Sequence, residues 1–338
     1  MKGWWQILKN RKHFLGILCA LMANIIFGFS FIFSKMALSV SEPLIILAVR
    51  FTIAFLFLNV FLCLGVFKMK FKIFKNPTIW LMALAQPFLY FIFELYGLSL
   101  VSSALSGVII ALVPVAVMLM SALILKEKPT FLQWFFTIIS IIGISVISII
   151  SNDGNKNHSL GIILLIVAVI CAAIFNILSR KQSSATSPFE RTYAMFFIGF
   201  VGFNIIAIMR YNTKFIPLVL NSFKHSEFIF AIFYLAVISS VLAFLIYNFA
   251  TTNITVIEAS SFSNIITVVT VLAGVFVLNE SLNLWEYILC GMIIIGVWGV
   301  NWFVSPVKNR KKYFFKNLLL TKATGFDIIY KSLKNMAV

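Results

Sequence analysis

Charge is what this chain has least of. Asp, Glu, Lys and Arg make up 11% of its 338 residues while apolar side chains make up 62%, and a soluble domain needs about 25% charged residues to cover its surface. Water is therefore excluded as the solvent of most of the chain, and lipid takes its place. The chemistry-bearing residues are equally sparse. The three histidines, His13, His158 and His225, all fall outside the apolar runs, and there is no HExxH, phosphate-binding loop or GxSxG sequence. Zinc hydrolysis, an ATP-driven pump and serine-nucleophile catalysis are thereby excluded. The chain reads as a non-enzyme that needs no cofactor. The four cysteines, Cys19, Cys63, Cys171 and Cys290, each sit inside an apolar run with no CxxC or Cys/His neighbour, so they read as small apolar packing residues.

What is present is a series of continuous apolar runs. They do not alternate at period 2, as barrel strands would, and each approaches the ~20 residues a spanning helix needs. Ten are expected: Phe14 to Phe33, Leu44 to Phe67, Thr78 to Ser99, Ser102 to Leu125, Phe131 to Ser151, Leu160 to Ser179, Tyr193 to Met209, Phe228 to Phe249, Ile254 to Leu278 and Leu284 to Val304. The third and fourth are split at a short turn around Val101, because one helix has no use for their joint length. The fold class is all-α, a polytopic membrane protein.

The net charge of +17 points away from nucleic acid, because the basic residues cluster between the runs. With the N-terminus inside, Lys2 to Lys12, Lys68 to Lys75, Lys126, Lys128, Arg180, Lys181, Arg191 and the tail face the cytoplasm. Lys35, Lys156, Arg210, Lys214 and Lys224 face out. That bias follows the positive-inside rule with an even number of spans. It predicts a multi-pass inner-membrane protein with both termini cytoplasmic, in contact with the lipid bilayer. Residues 305–338 form a basic tail, either an amphipathic helix on the anionic inner surface or a solvated segment.

An internal repeat organises the spans. Setting Glu127 on Glu280 also sets Leu125 on Leu278 and Ile141-Ile142-Gly143 on Ile294-Ile295-Gly296. The expected division is a cytoplasmic segment 1–13, a first five-helix repeat 14–151, a second 160–304 and the tail. Five spans per half is odd, so the halves are expected to sit inverted in the bilayer, as in many secondary transporters.

Over residues 14 to 304 the sequence resembles the drug/metabolite transporter superfamily, specifically ten-helix EamA-type permeases. The resemblance is carried by Phe27-Gly28 and Ser34-Lys35 in the first span, Pro43 and Arg50 in the second, Ser102 to Gly107, Pro114 and Glu127 around the fourth, and Ala259 through Leu278-Asn279-Glu280-Ser281 to Gly296 in the second half. Thr267 departs from the pattern, standing where the first half has Pro114. The resemblance implies a permease for a small-molecule solute, commonly an amino acid or related metabolite, with efflux as the expected direction. A lipid flippase of the same fold and a non-transporting receptor or assembly factor stand as alternatives. Oligomeric state is left open.

An intramembrane charge costs about 2.5 to 3.5 kcal/mol on insertion scales and asks for an explanation. Arg50 and Glu94 both fall roughly 7 to 9 Å below the outer boundary at 1.5 Å per helical residue. They read either as a polar lining or as a structural pair. Glu94 is a candidate for an ammonium group or for proton coupling. Gln86, Tyr90 and Glu94 recur every four residues on one stripe, and the repeat offset places Ser239 opposite Gln86, Ser240 opposite Pro87 and Tyr247 opposite Glu94. Asn24, Gly28 and Lys35 share a face of the first span, and Asn176 in the sixth is paired with Ser30. In the ninth span Asn264 is the residue long enough to reach a solute. The candidate substrate-binding set is Asn24, Arg50, Gln86, Tyr90, Glu94, Ser239, Tyr247 and Asn264, with no metal site. Glu258, Glu127 and Glu280 read as groups that fix helix ends.

Overall fold

The computed structural model describes residues 2–67, 69–124, 130–150, 156–254, 259, 262–278 and 284–302. Among these the chain is helical with no strand. Seven helices are long and apolar enough to cross a membrane, and three shorter apolar ones join them. In chain order the spanning helices are α1 Lys2–Leu38, α2 Pro43–Cys63, α3 Pro77–Leu100 and α4, made of Ser103–Ile110 and Val113–Ile124. They continue as α5 Phe131–Ile150, α6 Lys156–Gln182, α7 Pro188–Tyr211, α8 Ser226–Asn253, α9 Ser263–Val277 and α10 Leu284–Trp302. The protein is a multi-pass membrane protein.

Local chemistry sets the ends. Proline stands at the first turn of α2, α3 and α7, where its missing N–H costs nothing. Asn76 caps α3 through Thr78 N, and Ser187 with Glu190 forms a reciprocal capping box on α7. The turn between α3 and α4 falls at Val101-Ser102, where the extended Ser102 accepts from Leu105 N at 3.2 Å. The expected split is therefore present. Glu127, Glu258, Glu280 and the tail lie outside the described residues.

The contacts repeat when the two halves are exchanged. α1 packs on α8 as α6 packs on α3, and α1 on α9 as α6 on α4, while α2–α7, α4–α9 and α5–α10 pair with their own counterparts. These self-pairs run antiparallel. Along α2 and α7, Glu42 meets Tyr211, Phe51 meets Gly199 and Asn59 meets Tyr193. Along α5 and α10, Phe136 faces Gly299, Ser140 faces Gly296 and Gly143 faces Ile293. Three helices thus oppose their counterparts while α1 and α3 exchange partners with α6 and α8, which is the arrangement of inverted repeats around a pseudo-two-fold axis.

Small residues set the closest crossings, as expected where apolar solvent gives helices little drive to associate. A Cβ on Gly28 would stand 2.6 Å from Val269 Cβ, and one on Gly107 2.6 Å from Thr270 Cβ. Close approach lets α9 bond to its neighbours' backbones: Thr270 Oγ1 donates to Gly28 O at 3.1 Å and Thr267 Oγ1 to Gly107 O at 3.0 Å. Thr267, the departure from the family pattern, thus joins α9 to α4.

Both α3 and α8 are interrupted midway by π-type turns, over Leu84–Leu89 and Tyr234–Leu242. The overlap is close to the repeat offset, so the two interruptions stand at equivalent positions of the two halves. Pro87 withholds a backbone donor in the first, and Gln86 is extended there, with φ −146° and ψ 124°. This corrects the regular four-residue stripe expected for α3. Tyr90 and Glu94 keep helical register, but Gln86 reaches the interior through an irregular turn.

Candidate functional site

A small cavity of about 60 Å³ lies between α1, α3 and α4 of the first half and α6, α8 and α9 of the second. These are three pairs of repeat-equivalent helices. Asn24, Gln86, Tyr90, Glu94, Ser239 and Tyr247 all line it, so the structure gathers six of the eight expected residues at one place. By water-sized measure the space holds only a few waters, far below the 300 to 1,000 Å³ typical of small-molecule pockets.

The two others lie elsewhere. Arg50, 2% exposed, stands one layer behind the lining. Its Nε donates to Ser240 Oγ at 2.9 Å and its Nη2 to Ser239 Oγ at 3.3 Å, and its guanidinium sits 4.3 Å from the centre of the Phe91 ring. Arg50 therefore clasps the interrupted turn of α8. Asn264 does not line the cavity; its neighbour Ser263 does, and Asn264 Oδ1 is buried without a hydrogen-bond partner.

Glu94 is 3% exposed and its Oε2 has no hydrogen-bond partner. No ion pair within hydrogen-bonding reach ties it to Arg50, whose donors are directed at the serines. Burying an acid with an unsatisfied oxygen is costly, and π-type turns in long helices concentrate at functional sites. Here both features coincide.

The two asparagine amides are held by their own helices, and Tyr247 of α8 reaches across to α6. Asn24 Nδ2 donates to Ala20 O at 2.6 Å and Asn176 Nδ2 to Ala172 O at 2.8 Å, while Tyr247 OH donates to Asn176 Oδ1 at 2.5 Å. The shared pattern, with Cys19-Ala20 and Cys171-Ala172 four and five residues before, makes Asn176 the counterpart of Asn24. This corrects the pairing with Ser30. Aromatic rings make up much of the remaining wall, beside Ile110, Val113, Ala172 and Ile266: Phe27 and Phe244 lie 5.0 Å apart, Phe27 and Tyr247 6.1 Å, and Tyr90 and Phe91 5.0 Å.

The ends of the bundle differ. At one end Lys35, Glu42, Ser99 and Ser222 border an open vestibule of about 630 Å³. At the other, Lys70 N donates to Glu190 Oε1 and Asn76 Nδ2 to Gln182 Oε1, which gathers the basic 70–75 and 180–191 segments together. That end is sealed. Arg191, expected in a cytoplasmic loop, is fully buried in the first turn of α7. It donates through Nη2 to Asn248 O and to Thr252 Oγ1 at 2.7 Å, and through Nη1 to Thr186 O at 3.2 Å. Arg180 Nη1 reaches Thr251 O at 2.7 Å and Thr252 O at 2.9 Å. Both arginines satisfy the carbonyls or hydroxyls that end α8, where cations are favoured. Sequence reading missed this seal because a basic residue beside a capping serine looks like loop charge; Asn248 within a span was the available signal.

Inverted halves, helix interruptions at matching positions and a small cavity with a buried acid between equivalent helices are the features of a membrane transporter of the drug/metabolite type. The comparisons agree. The profile of the EamA-like transporter family matches residues 14–149 and 159–302, and the chain belongs to that family. An uncharacterized transporter of Bacillus subtilis (strain 168), YcxC, is 36% identical over 84% of this chain and 92% of its own length. An uncharacterized transporter of Archaeoglobus fulgidus is 26% identical over 80% of this chain and 93% of its own. A solved crystal structure with 15% identity shares the fold at a TM-score of 0.59, covering 87% of this chain and 98% of its own.

Proposed function

We propose that the chain moves a small polar metabolite, in the efflux direction, across the inner membrane by alternating access through the cavity around Glu94. One observation carries the reading: a buried carboxylate with an unpartnered oxygen, lining a cavity built from equivalent helices of both halves. The cavity is too small for a metabolite and lies between a vestibule at one end and an arginine seal at the other, so passage requires the two ends to open in turn. The substrate-binding set is Asn24, Gln86, Tyr90, Glu94, Ser239 and Tyr247, with Asn176 added. Arg50 positions Ser239 and Ser240. Both termini are cytoplasmic, supported by the basic segments gathered at the Arg191 end, and proton coupling through Glu94 belongs to the same reading.

The test is release from proteoliposomes preloaded with a mixture of amino acids and simple amines. At least one solute should leave faster than from protein-free vesicles. Ala172→Leu, which fills the cavity, should abolish the difference. Equal release of every solute from both preparations, or release unaffected by Ala172→Leu, sinks the proposal.

A further inference from the structure

We infer that the sealed end of the bundle carries a seat for an anionic phospholipid, its phosphodiester held by Lys70, Lys72, Lys75 and Lys181 and its acyl chains lying along α3 beside Trp80. The seat lies outside the cavity and does not depend on what the cavity carries. Charge placement is the first observation. No acid stands between Glu42 and Glu94 or between Asp153 and Glu190, so the two loops that meet at this end supply only cations before Glu190. That carboxylate is buried, and both its oxygens are spent on backbone N–H groups: Oε1 accepts from Lys70 N at 3.0 Å and Oε2 from Ser187 N at 2.7 Å. Arg180 and Arg191 are turned inwards to the end of α8. Among the described residues of these loops, Lys70, Lys72, Lys75 and Lys181 carry the outward charge, and all four are exposed.

The loop between α2 and α3 is built to hold them in place. In its short turn, Phe71–Lys75, Ile73 is buried against the bundle while Lys72 and Lys75 stay exposed. Lys70 N on Glu190 ties one end of the turn to α7, and Asn76 Nδ2, donating to Gln182 Oε1 at 2.9 Å, ties the other to α6. The second bond also brings the loops of Lys75 and Lys181 together, since each lysine is the chain neighbour of a bonded residue. Like charges gathered in this way repel one another, and a bound phosphodiester relieves that repulsion.

The surface on the membrane side of the lysines favours a lipid over free phosphate. Trp80 is the fourth residue of α3 and so stands about 5 Å along the axis from the helix start at 1.5 Å per residue, and tryptophan is enriched at headgroup depth. Its Nε1 donates to Phe74 O at 2.7 Å, and its ring clusters with those of Phe74 and Phe197 at 5.6 and 6.4 Å. The side chain nevertheless stays 41% exposed, and Leu81 and Leu84, 52% and 42% exposed, continue the apolar surface away from the lysines. A headgroup on the lysines therefore has its chains on apolar protein.

The test is native mass spectrometry of the purified full-length protein with equal amounts of phosphatidylglycerol and phosphatidylcholine of the same acyl chains. Phosphatidylglycerol should be retained about tenfold more strongly or better, at roughly fivefold per lysine near an anionic headgroup. Lys72→Gln combined with Lys75→Gln should remove most of that preference. Lys214→Gln combined with Lys224→Gln takes the same charge from the segment that borders the vestibule and should leave the preference within about twofold. All four of these lysines are exposed, so folding is not at stake in either variant. Equal retention of the two lipids overturns the inference. So does an equal loss of preference in the two double variants, because net charge alone would then draw the lipid. Glycerol phosphate retained as strongly as phosphatidylglycerol shows a phosphate site with no use for acyl chains, and overturns it as well.

Discussion

Asn24 and Asn176 occupy equivalent turns of the two halves, and each ties its amide to the carbonyl four residues before it, at 2.6 and 2.8 Å. They part company at one point, because only Asn176 also accepts the hydroxyl of Tyr247. Replacing each by leucine separates these roles. Asn24→Leu should cost about 1 kcal/mol, the net worth of an ordinary hydrogen bond. Asn176→Leu should cost about 1 to 3 kcal/mol more, because it strands a buried hydroxyl. Adding Tyr247→Phe should recover most of that excess. Thermal melting of the unaltered protein, Asn176→Leu, Tyr247→Phe and the double variant provides the cycle, and strictly additive effects would remove the Asn176 to Tyr247 link.

Arg50 should be irreplaceable by lysine. A planar guanidinium spans Ser239 and Ser240 while stacking on Phe91, and an ammonium cannot do all three. Arg50→Lys and Arg50→Gln should therefore both lower stability by about 1.5 to 3 kcal/mol, the range for charge-assisted hydrogen bonds. Equal melting of Arg50→Lys and the unaltered protein would show that the charge alone suffices.

The Arg191 seal should govern access from its own end of the bundle. In a cysteine-free background, Thr252→Cys should react slowly with a thiol reagent added from that side. Combining it with Arg191→Ala should speed labelling by roughly tenfold, the effect of losing about 1.4 kcal/mol of closure. Unchanged rates would mean that the hydrogen bonds merely decorate a contact held shut by packing.

Orientation is checked in the same background. Lys72→Cys should be protected from a membrane-impermeant reagent applied to intact cells, and Asn221→Cys, near the vestibule, should be labelled. The reverse pattern would invert the topology drawn from the basic clusters.

Much of this architecture was legible in sequence because lipid leaves few alternatives. Apolar runs of spanning length fixed the helices, and Glu127 with Glu280 set an offset that brought Gln86, Glu94, Ser239 and Tyr247 to one cavity. Other features were not legible. Ser239-Ser240 carries no proline, so the α8 interruption has no marker of the kind Pro87 gives α3. The offset of the closing spans does not fix the opening ones, which is why Asn176 was set against Ser30. Arg191 was misplaced because its partners, Asn248 and Thr252, lie some sixty residues away. In sequence Arg50 and Glu94 read as one pair or one lining; in the structure Arg50 bonds Ser240 and Ser239 while Glu94 lines the cavity.

The interruptions of α3 and α8 have a mechanical consequence. A continuous helix is a stiff rod, and tilting one end swings the other. An irregular turn at mid-length is where a rod can bend, and hinges in proteins are formed by the few residues that absorb such changes in backbone angle. Each of these two helices is in effect a pair of half-rods, with its joint beside Glu94. In α8 the half towards the vestibule can swing while the other half stays clasped by Arg180 and Arg191. Whatever occupies the cavity sits against both joints at once and so feels the position of either end.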